Sequence, residues 1–369
     1  MHGLNAAEIH LLISELSEKI NGSFIRKFYQ VGEGAFRITF YKDGKNTSVY
    51  CKLLESFNET SFAENAGAPT QFAMGVRKRI ENAKVQEISQ RGGDRIIILK
   101  ISSHGVIYSL IIEMFGKGNM VLLNADGITE LCYASVSFKD RVVQPHKKYS
   151  YPEDAAPGIW SMNGEELRSA AVNIIGAKKP MAELSKKISA GPIYLEDAFL
   201  RAGMDPKESV IDASHAEKLS TELINLSKSL KSPSPRLYGE ENKLLDYSAI
   251  PLKKYEASES TEFDSMGLMM DRAVSEGRLK VDDSSTARKK AEMEASIAKQ
   301  EELVSAMKEE SENSKVYANK IFSRMNELNA LISYLRENRR ATVAEASEMF
   351  PSILIKEIDL KNKSVTVEL

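Results

Sequence analysis

Apolar residues recur at helical spacing in two stretches near the start of the chain. The first predicts a helix over residues 5–20, in which Asn5 and Glu8, three positions apart, form an N-terminal capping pair. The second predicts a helix over residues 70–82. Residues 55–69, between the preceding strands and this helix, are polar and predict a loop.

Apolar runs of strand length fill most of the remaining first 150 residues. They are separated by hairpin signals such as Asp43-Gly44 and Asn124-Ala125-Asp126-Gly127. Because these runs follow one another through short turns, they predict an antiparallel sheet bracketed by helices, an α+β fold. The predicted strands are residues 23–31, 35–41, 47–54, 96–101, 106–114, 120–123 and 128–133.

Beyond residue 140 the pattern changes to loops and short helices. Residues 141–158 predict a loop or boundary, and residues 163–230 predict short helices with a hairpin at Ser189-Ala190-Gly191-Pro192. Residues 237–255 have mixed strand character, and a Met-rich stretch over residues 262–274 predicts a further helix.

A long heptad pattern occupies the last quarter of the chain. Between residues 293 and 335 a seam alternates in steps of four and three, and 10 of its 13 positions are apolar or Ala. This pattern predicts one helix over about residues 285–340, roughly 80 Å long at ~1.5 Å per residue. Thr342 and Glu345 predict the cap of a shorter helix, and residues 364–369 predict a strand. The seam predicts a coiled coil, formed within the chain or by self-association.

The composition is that of a soluble protein, and the net charge of −2 excludes a polycation. Basic residues are in slight excess in the first 150 residues, so a nucleic-acid surface would be a local patch there. Cys51 and Cys132 predict free thiols, and neither they nor the five histidines have metal-ligand spacing, so no metal or cofactor is predicted. No export signal, membrane span or catalytic motif is recognisable, which predicts a cytoplasmic protein that is not an enzyme.

The turn before the strand at residues 96–101 concentrates unlike charges next to glycines. Gly92 and Gly93 precede Asp94 and Arg95, and a buried strand follows directly. Asp94 and Arg95 would form either a private salt bridge or a hydrogen-bonding fork for an outside partner. The residues alone leave both alternatives open.

Other basic residues of the same region also allow two interpretations, one structural and one as a binding surface. Arg77, Lys78 and Arg79 on the second helix are either a solvated face or a phosphate-binding surface, and Lys117 lies in a Gly-Lys-Gly turn. Arg91 and Arg141 also lie at element ends. Tyr149 and Tyr151 beside His146, Lys147 and Lys148 give the aromatic and basic mixture that single-stranded RNA favours. Glu8 is either the helix cap or a ligand contact.

Short matches to one known family follow in order along nearly the whole chain. They are the opening helix with Glu8, Lys27-Phe28-Tyr29-Gln30, Phe72-Ala73-Met74 before Arg77-Lys78, Gly93-Asp94-Arg95-Ile96, Phe115-Gly116-Lys117-Gly118-Asn119, Gly191-Pro192 and Phe263-Asp264-Ser265. By their order and spacing the chain resembles the NFACT family, in a form that looks archaeal.

This resemblance implies a factor of ribosome-associated quality control. Such proteins bind an obstructed large ribosomal subunit and its rRNA, and recruit tRNA, here alanine tRNA, to extend the stalled chain without a message. The resemblance maps tRNA recognition onto Asp94 and Arg95 and the family's N-terminal acidic position onto Glu8. It implies a MutM-like domain (residues 1–160), a helix-hairpin-helix module (161–232), a return segment (233–284) and a coiled-coil arm (285–369), together the N-terminal portion of a longer protein.

One departure and two alternatives accompany this expectation. Ser189 stands where the hairpin of the family usually has a first Gly, which counts against phosphate binding by that hairpin. A DNA glycosylase on the related fold would need an N-terminal proline and a zinc finger, but residues 2 and 3 are His and Gly and no zinc ligands are recognisable. A fibronectin-binding adhesin would need export.

Overall fold

The computed structural model describes residues 2–62, 67–138, 141–153, 155–207, 210–240, 243–275 and 284–368. The chain forms two compact units, residues 1–282 and residues 283–369. The predicted division into four parts is finer than these two units and stays a prediction.

Within the described part of the first unit, the largest sheet has nine strands. Its spatial order is β4-β3-β2-β1-β5-β6-β7-β8-β9, and all pairings are antiparallel. The predicted α+β fold class is therefore confirmed. The strands are β1 (Phe24–Gly32), β2 (Ala35–Lys42), β3 (Lys45–Lys52), β4 (Ser56–Glu59), β5 (Lys84–Gln90), β6 (Ile96–Ser103), β7 (Val106–Glu113), β8 (Asn119–Leu123) and β9 (Thr129–Cys132).

Two helices cover the inner face of this sheet. They are α1 (Ala6–Ile20) and α2 (Gln71–Ile80), and both predicted helices are confirmed. Asn5 and Glu8 form the predicted reciprocal capping box, and Thr70 caps α2. The inward positions of the sheet alternate with outward ones, so that cross-strand neighbours such as Phe28, Ile38 and Val49 are almost completely buried.

The sheet consists of two halves that share a narrow junction. β1 and β5 pair only through Phe24 and Lys84 at their starts, so the strands diverge from that point. The halves meet again at the opposite end, where a Cβ on Gly118 would lie 2.7 Å from the Cβ of Leu53. Gly118 has a φ of +71°, which together with this contact requires glycine.

Two strands of the nine-stranded sheet were not predicted from the sequence. β4 lies in the predicted loop over residues 55–69, which is wrong at this point, because Ser56 and Asn58 are buried polar residues that conceal the strand pattern. β5 was missed because a bulge between Val85 and Glu87 interrupts the apolar alternation.

Downstream of β9, the short pair β10 (Val136–Ser137) and β11 (Val142–Val143) brings Arg141 under the sheet. Arg141 Nη1 donates to Glu113 Oε1 at 2.6 Å, and both side chains are less than 5 % exposed. The Tyr149 hydroxyl donates to the same oxygen at 2.7 Å. Burial and the Glu113 carboxylate raise the pKa of Tyr149, which keeps this hydroxyl a donor.

The rest of the first unit is a helical module followed by a small sheet, in broad agreement with the predicted elements. Met266, Met269 and Met270 of the predicted Met-rich helix are fully buried. The elements are α3 (Gly164–Val172), α4 (Pro180–Ser185), α5 (Pro192–Arg201), α6 (Ala213–Lys231), β12 (Arg236–Glu240), β13 (Lys243–Ser248), β14 (Glu259–Glu262) and α7 (Met266–Ser275).

The second unit begins with α8 (Ser284–Ser323), and the predicted uninterrupted helix over residues 285–340 is wrong. The helix breaks at Arg324, where φ is −111° and ψ is 15°, and continues as α9 (Met325–Glu337). α10 (Val343–Met349), with the predicted Thr342 cap, and the hairpin of β15 (Leu354–Asp359) and β16 (Ser364–Glu368) complete the unit.

The break at Arg324 lets α9 pack into a small core of the second unit. Leu331, which is not on the heptad seam, is fully buried against Ala346, Ile353 and Ile355 in a small core. Arg324 also donates to the carbonyl of Ser352 at 3.0 Å. The seam residues of α8 with described side chains are exposed, so pairing into a coiled coil stays a prediction. Among the helices of the described residues, none combines the length and apolar character needed to cross a membrane.

Replacing Arg141 should lower the stability of the protein more than replacing an exposed residue does. Arg141→Met leaves the buried Glu113 carboxylate without its cation, which should lower the free energy of unfolding by about 3–5 kcal/mol. Urea denaturation followed by circular dichroism measures this. Tyr149→Phe, which removes only one hydrogen bond to the same carboxylate, should cost about 1.5–3 kcal/mol. A smaller effect for Arg141→Met than for Tyr149→Phe would contradict the structural role of the ion pair.

Candidate nucleic-acid interface

The β5–β6 turn and the β7–β8 turn lie side by side at one end of the sheet. In the first turn, the Asp94 N–H donates to the carbonyl of Arg91 at 2.9 Å. The Met114 N–H donates to the carbonyl of Arg95 at 2.8 Å, which holds the two turns together. Asp94, Arg95 and Lys117 are therefore presented at the same end of the sheet.

Within the β5–β6 turn, Asp94 is paired with Arg91 rather than with Arg95. The Asp94 carboxylate accepts hydrogen bonds from Arg91 Nη1 at 3.0 Å and from the backbone N–H of Arg95 at 2.9 Å. The Arg91 guanidinium also lies 4.6 Å from the ring centroid of Tyr151. The Arg95 side chain is exposed and has no ion pair or hydrogen bond with any described residue. Asp94 thus closes the turn, and Arg95 is left to meet an outside group.

Gly93 allows the rest of the unit to approach this turn closely. A Cβ at this position would lie 2.1 Å from the carbonyl oxygen of Ala156, 2.8 Å from the Cβ of Ser189 and 2.9 Å from the nitrogen of Gly158. A side chain cannot be accommodated there without separating these segments. In contrast, a Cβ on Gly92 would meet nothing within 4 Å, although φ there is +51°.

The hairpin between α4 and α5 packs against the turn through its own backbone. The Ser189 hydroxyl donates to the carbonyl of Gly93 at 2.5 Å, and its N–H donates to the carbonyl of Pro157 at 2.9 Å. The carbonyl of Ala190 accepts from the N–H of Ala7 at 3.3 Å. Because Ser189 is committed to these contacts, this part of the hairpin joins two parts of the chain instead of offering its N–H to a phosphate.

Glu8 is completely buried and fully hydrogen-bonded. Its Oε2 accepts from the N–H of Asn5 at 3.0 Å, and its Oε1 accepts from the Tyr194 hydroxyl at 2.9 Å and from His2 Nε2 at 2.8 Å. The other ring nitrogen of His2 lies 2.8 Å from Asp246 Oδ1. Glu8 is therefore both the predicted helix cap and the centre of a buried network, and its carboxylate is not exposed to a ligand.

Two carboxylates determine the charge state of His2. Burial alone would lower the pKa of the imidazole, but Glu8 and Asp246 outweigh it and raise the pKa to about 10. A protonated His2 donates from both ring nitrogens, one to each carboxylate. It therefore links the start of the chain to α1 and to β13.

A cavity of about 440 Å³ lies between the chain start, the β5–β6 turn and the hairpin. Asp94 and Arg95 are part of its wall, while the opposite wall is the hairpin itself. The cavity is lined by His2, Gly3, Asn5, Ala6, Gly93, Asp94, Arg95, Ala155, Ser185, Ile188, Ser189, Ala190, Gly191, Pro192, Ile193 and Leu195. No group of three or more His, Cys, Asp or Glu side chains in the described residues is arranged to hold a metal ion.

The three basic residues of α2 have three different environments. Arg79 is paired with Glu130 at 3.0 Å. Arg77 donates from Nε to the carbonyl of Phe28 at 2.6 Å and lies 4.7 Å from the ring centroid of Tyr29. Lys78 is exposed and has no partner among the described side chains. Of the three, Lys78 has the most freedom to reach a phosphate.

Of the remaining basic and aromatic candidates, some are exposed and others are buried. Lys117 is exposed at the tip of the β7–β8 turn. Tyr149, interpreted from sequence as part of an RNA-binding mixture, is buried against Glu113, and that interpretation is wrong for this residue. Arg141, noted from sequence as a cation at an element end, is buried against the same carboxylate. Tyr151 is exposed, and its ring is in contact with Arg91.

Comparison with known proteins assigns the chain to a family. The family described as "NFACT N-terminal and middle domains" matches residues 6–347. The chain belongs to the NFACT family. The archaeal Rqc2 homolog aRqcH of Methanocaldococcus jannaschii is 25 % identical to it, over 90 % of this chain and 52 % of that protein. The Rqc2 homolog RqcH of Bacillus subtilis is 27 % identical over 52 % of this chain and 36 % of that protein. The chain thus spans about half the length of the archaeal NFACT relative.

Solved structures support the fold of this NFACT chain. The fibrinogen binding protein from Staphylococcus aureus matches with a TM-score of 0.60 at 18 % identity, over 73 % of this chain and 97 % of that one. The N-terminal part of the fibronectin/fibrinogen-binding protein from Streptococcus suis matches with a TM-score of 0.55 at 17 % identity, over 74 % and 99 %. At these identities the similarity shows the fold alone. A MutM protein from Thermus thermophilus matches at a TM-score of 0.32, too low to support an argument.

Sequence reasoning missed the residues that hold this end of the sheet together. His2, Tyr194 and Asp246 contact or surround Glu8 but are separated from it by up to 238 residues, so no local spacing connects them. Ser189 was noted only as a missing glycine, and its bond to Gly93 crosses 96 positions. A local signal existed only for Glu8, as the third residue of a capping box.

The stability of the protein should fall as the pH rises from about 6.5 towards 10. The folded state raises the pKa of His2 from 6.5 to about 10, so its stabilisation is complete below pH 6.5 and lost as the proton dissociates. Melting temperatures between pH 6 and 10 measure this loss. In His2→Gln the decline attributable to His2 should disappear, and an equal decline in both proteins would show that other groups cause it.

Gly93→Ala should be much more destabilising than Gly92→Ala. The first change forces a methyl group into the Ala156 carbonyl and should cost at least about 3 kcal/mol, since overpacking of this severity exceeds the usual range of ~1–3 kcal/mol. The second adds only the strain of a positive φ, about 1–2 kcal/mol. Thermal unfolding compares them. Equal melting temperatures for the two variants would mean that the turn and the loop at Ala156 separate without cost.

Proposed function

We propose that this chain is a ribosome quality control factor that binds tRNA at the end of the sheet formed by the β5–β6 and β7–β8 turns. On a large ribosomal subunit with a stalled nascent chain, it would bring in tRNA, in particular alanine tRNA, for message-independent extension. The names of its NFACT relatives, which are Rqc2 homologs, support the general role. The finer role is argued from the site.

The observation that carries the proposal is that Asp94 and Arg95 have different roles in the turn. Asp94 has its carboxylate satisfied by Arg91, so it holds the turn rigid, while the Arg95 guanidinium remains exposed at the cavity wall. A guanidinium has planar donors that suit base edges and phosphates. Because its backbone is held on a closed turn, only the Arg95 side chain has to be ordered on binding.

Phosphate contacts would come from other exposed cations of the same unit. Lys117 lies on the adjacent turn, and Lys78 extends freely from α2. Arg79 is already paired with Glu130, and Glu8 is buried, so both would act by supporting the structure. The chain itself would perform no chemistry, because peptide-bond formation belongs to the ribosome.

The direct test compares tRNA binding by two matched variants. Arg95→Gln removes the exposed cation from the turn, whereas Lys100→Gln removes an exposed cation from the strand that follows, β6, where it is paired with Glu87. Arg95→Gln should weaken binding of total tRNA about tenfold or more, the value of one good bidentate contact. Lys100→Gln should bind normally. Both should melt like the unaltered protein. Filter binding, followed by sequencing of the retained tRNAs, provides affinity and selectivity together.

Two results would contradict the proposal. Unchanged tRNA binding by Arg95→Gln, with Lys117→Gln and Lys78→Gln equally inert, would place the contact elsewhere. Cleavage of damaged DNA by the purified chain, with trapping of a covalent Schiff-base intermediate, would favour the alternative glycosylase function.

A further inference from the structure

The outward face of strands β1, β2 and β3 carries basic and aromatic side chains in register. Inward neighbours such as Phe28 and Ile38 are buried, so the residues between them face outward. Tyr29 is directly opposite Arg37, and Lys27 is directly opposite Thr39. The face therefore has a row of alternating ring and cation on a flat, rigid support.

The cations of this face are not neutralised. Arg26, Lys27, Arg37 and Arg77 form no ion pair with any carboxylate of the described residues. Some other cations of the same unit are paired, as Arg79 is with Glu130 and Arg201 is with Asp197. Four neighbouring positive charges without counter-charges repel one another, and a polyanion would relieve that repulsion.

Three guanidinium groups lie over tyrosine rings. Arg26 is 4.4 Å from the ring centroid of Tyr41, and Arg37 and Arg77 are 5.2 Å and 4.7 Å from that of Tyr29. The Nε bond from Arg77 to the carbonyl of Phe28 fixes one of these stacks. Arg26, Arg37 and the two tyrosines line a depression of about 520 Å³ on the sheet surface, whose polar wall includes Thr39 and Ser48.

We propose that this face, defined by Arg26, Lys27, Tyr29, Arg37, Tyr41 and Arg77, is a second RNA-binding surface that takes a short single-stranded segment. Phosphates lie on the four cations, and unstacked bases lie on the arginine–tyrosine planes. Thr39 and Ser48 supply hydroxyls within reach of ribose or base edges.

Single-stranded RNA fits this face better than other polyanions do. Strands are about 4.8 Å apart, so three strands give room for two or three stacked bases. An acidic peptide would use the charges but not the planes, and an anionic membrane would need an apolar or flexible basic patch instead of stacked rings. The surface contains neither Asp94 nor Arg95, so it stands or fails independently of the proposed tRNA site.

The experiment measures fluorescence anisotropy of a labelled 12-nucleotide single-stranded RNA of mixed sequence at several salt concentrations. The double variant Arg26→Gln/Arg37→Gln should bind about tenfold more weakly at low salt, and its salt slope should be shallower by about 1.4, since each single-strand phosphate contact contributes about 0.7. The control Lys218→Gln/Lys228→Gln removes two exposed charges from α6 and should change neither quantity.

Stacking is tested separately from charge. Tyr29→Phe retains the ring and should bind normally, whereas Tyr29→Leu should lose about fivefold or more in affinity, the lower range for one stacked base. Arg95→Gln should bind this single strand like the unaltered protein even if it loses tRNA. Melting temperatures within a few degrees of the unaltered protein establish that each variant is folded.

Three outcomes would overturn the inference. Equal losses in the Arg26/Arg37 variant and the α6 control would reduce it to a general charge effect. Equal affinity for a duplex of the same sequence would exclude recognition of unstacked bases. Tighter binding to a poly-glutamate peptide or to phosphatidylserine vesicles than to RNA, with the same sensitivity to Arg26 and Arg37, would assign the surface to a different class of partner.

Discussion

The buried carboxylate of Glu8 is the interaction on which the first unit depends. A charged group with no exposure to water is stable only when every oxygen has a donor, and here the donors come from three separate parts of the chain. The capping box alone would satisfy one oxygen. The second oxygen requires Tyr194 from α5 and a protonated His2, and His2 in turn requires Asp246 from β13. The helical module and the small sheet are thereby attached to the first helix by charge as well as by apolar packing.

This attachment explains why the candidate tRNA site is rigid. The hydrogen bond from Tyr194 to Glu8 holds the hairpin before α5 in place. The same hairpin contacts Gly93 through the hydroxyl of Ser189. The turn that carries Asp94 and Arg95 is therefore supported from the side by the helical module and from below by the sheet. Recognition by a single exposed guanidinium benefits from such support, since a mobile turn would add the cost of ordering its backbone to that of ordering the side chain.

The two basic surfaces of the unit differ in design. At the β5–β6 turn, Asp94 and Arg91 pair with each other and close the turn that carries Arg95. On the outer face of β1 to β3, tyrosine rings rather than carboxylates contact the guanidinium groups, so their positive charge is not neutralised. Neither surface is visible in the net charge of the chain, because acidic residues elsewhere cancel them.

The sequence alone determined the elements whose signals are local. The helix over residues 6–20, its capping pair, the hairpins with glycine turns and the family resemblance all depend on residues within a few positions of one another or on their linear order. It did not reveal β4, whose buried Ser56 and Asn58 lack an apolar pattern, nor the break at Arg324, where a regular heptad seam continues through the interruption. Only the tertiary structure decided that Asp94 pairs with Arg91, that Arg141 is buried while Arg95 is exposed, and that Glu8 meets His2 and Tyr194 while His2 meets Asp246. The physical reason is that the ionic partner of a buried charge is chosen by proximity in the folded chain, and proximity across nearly 240 residues leaves no trace in local spacing.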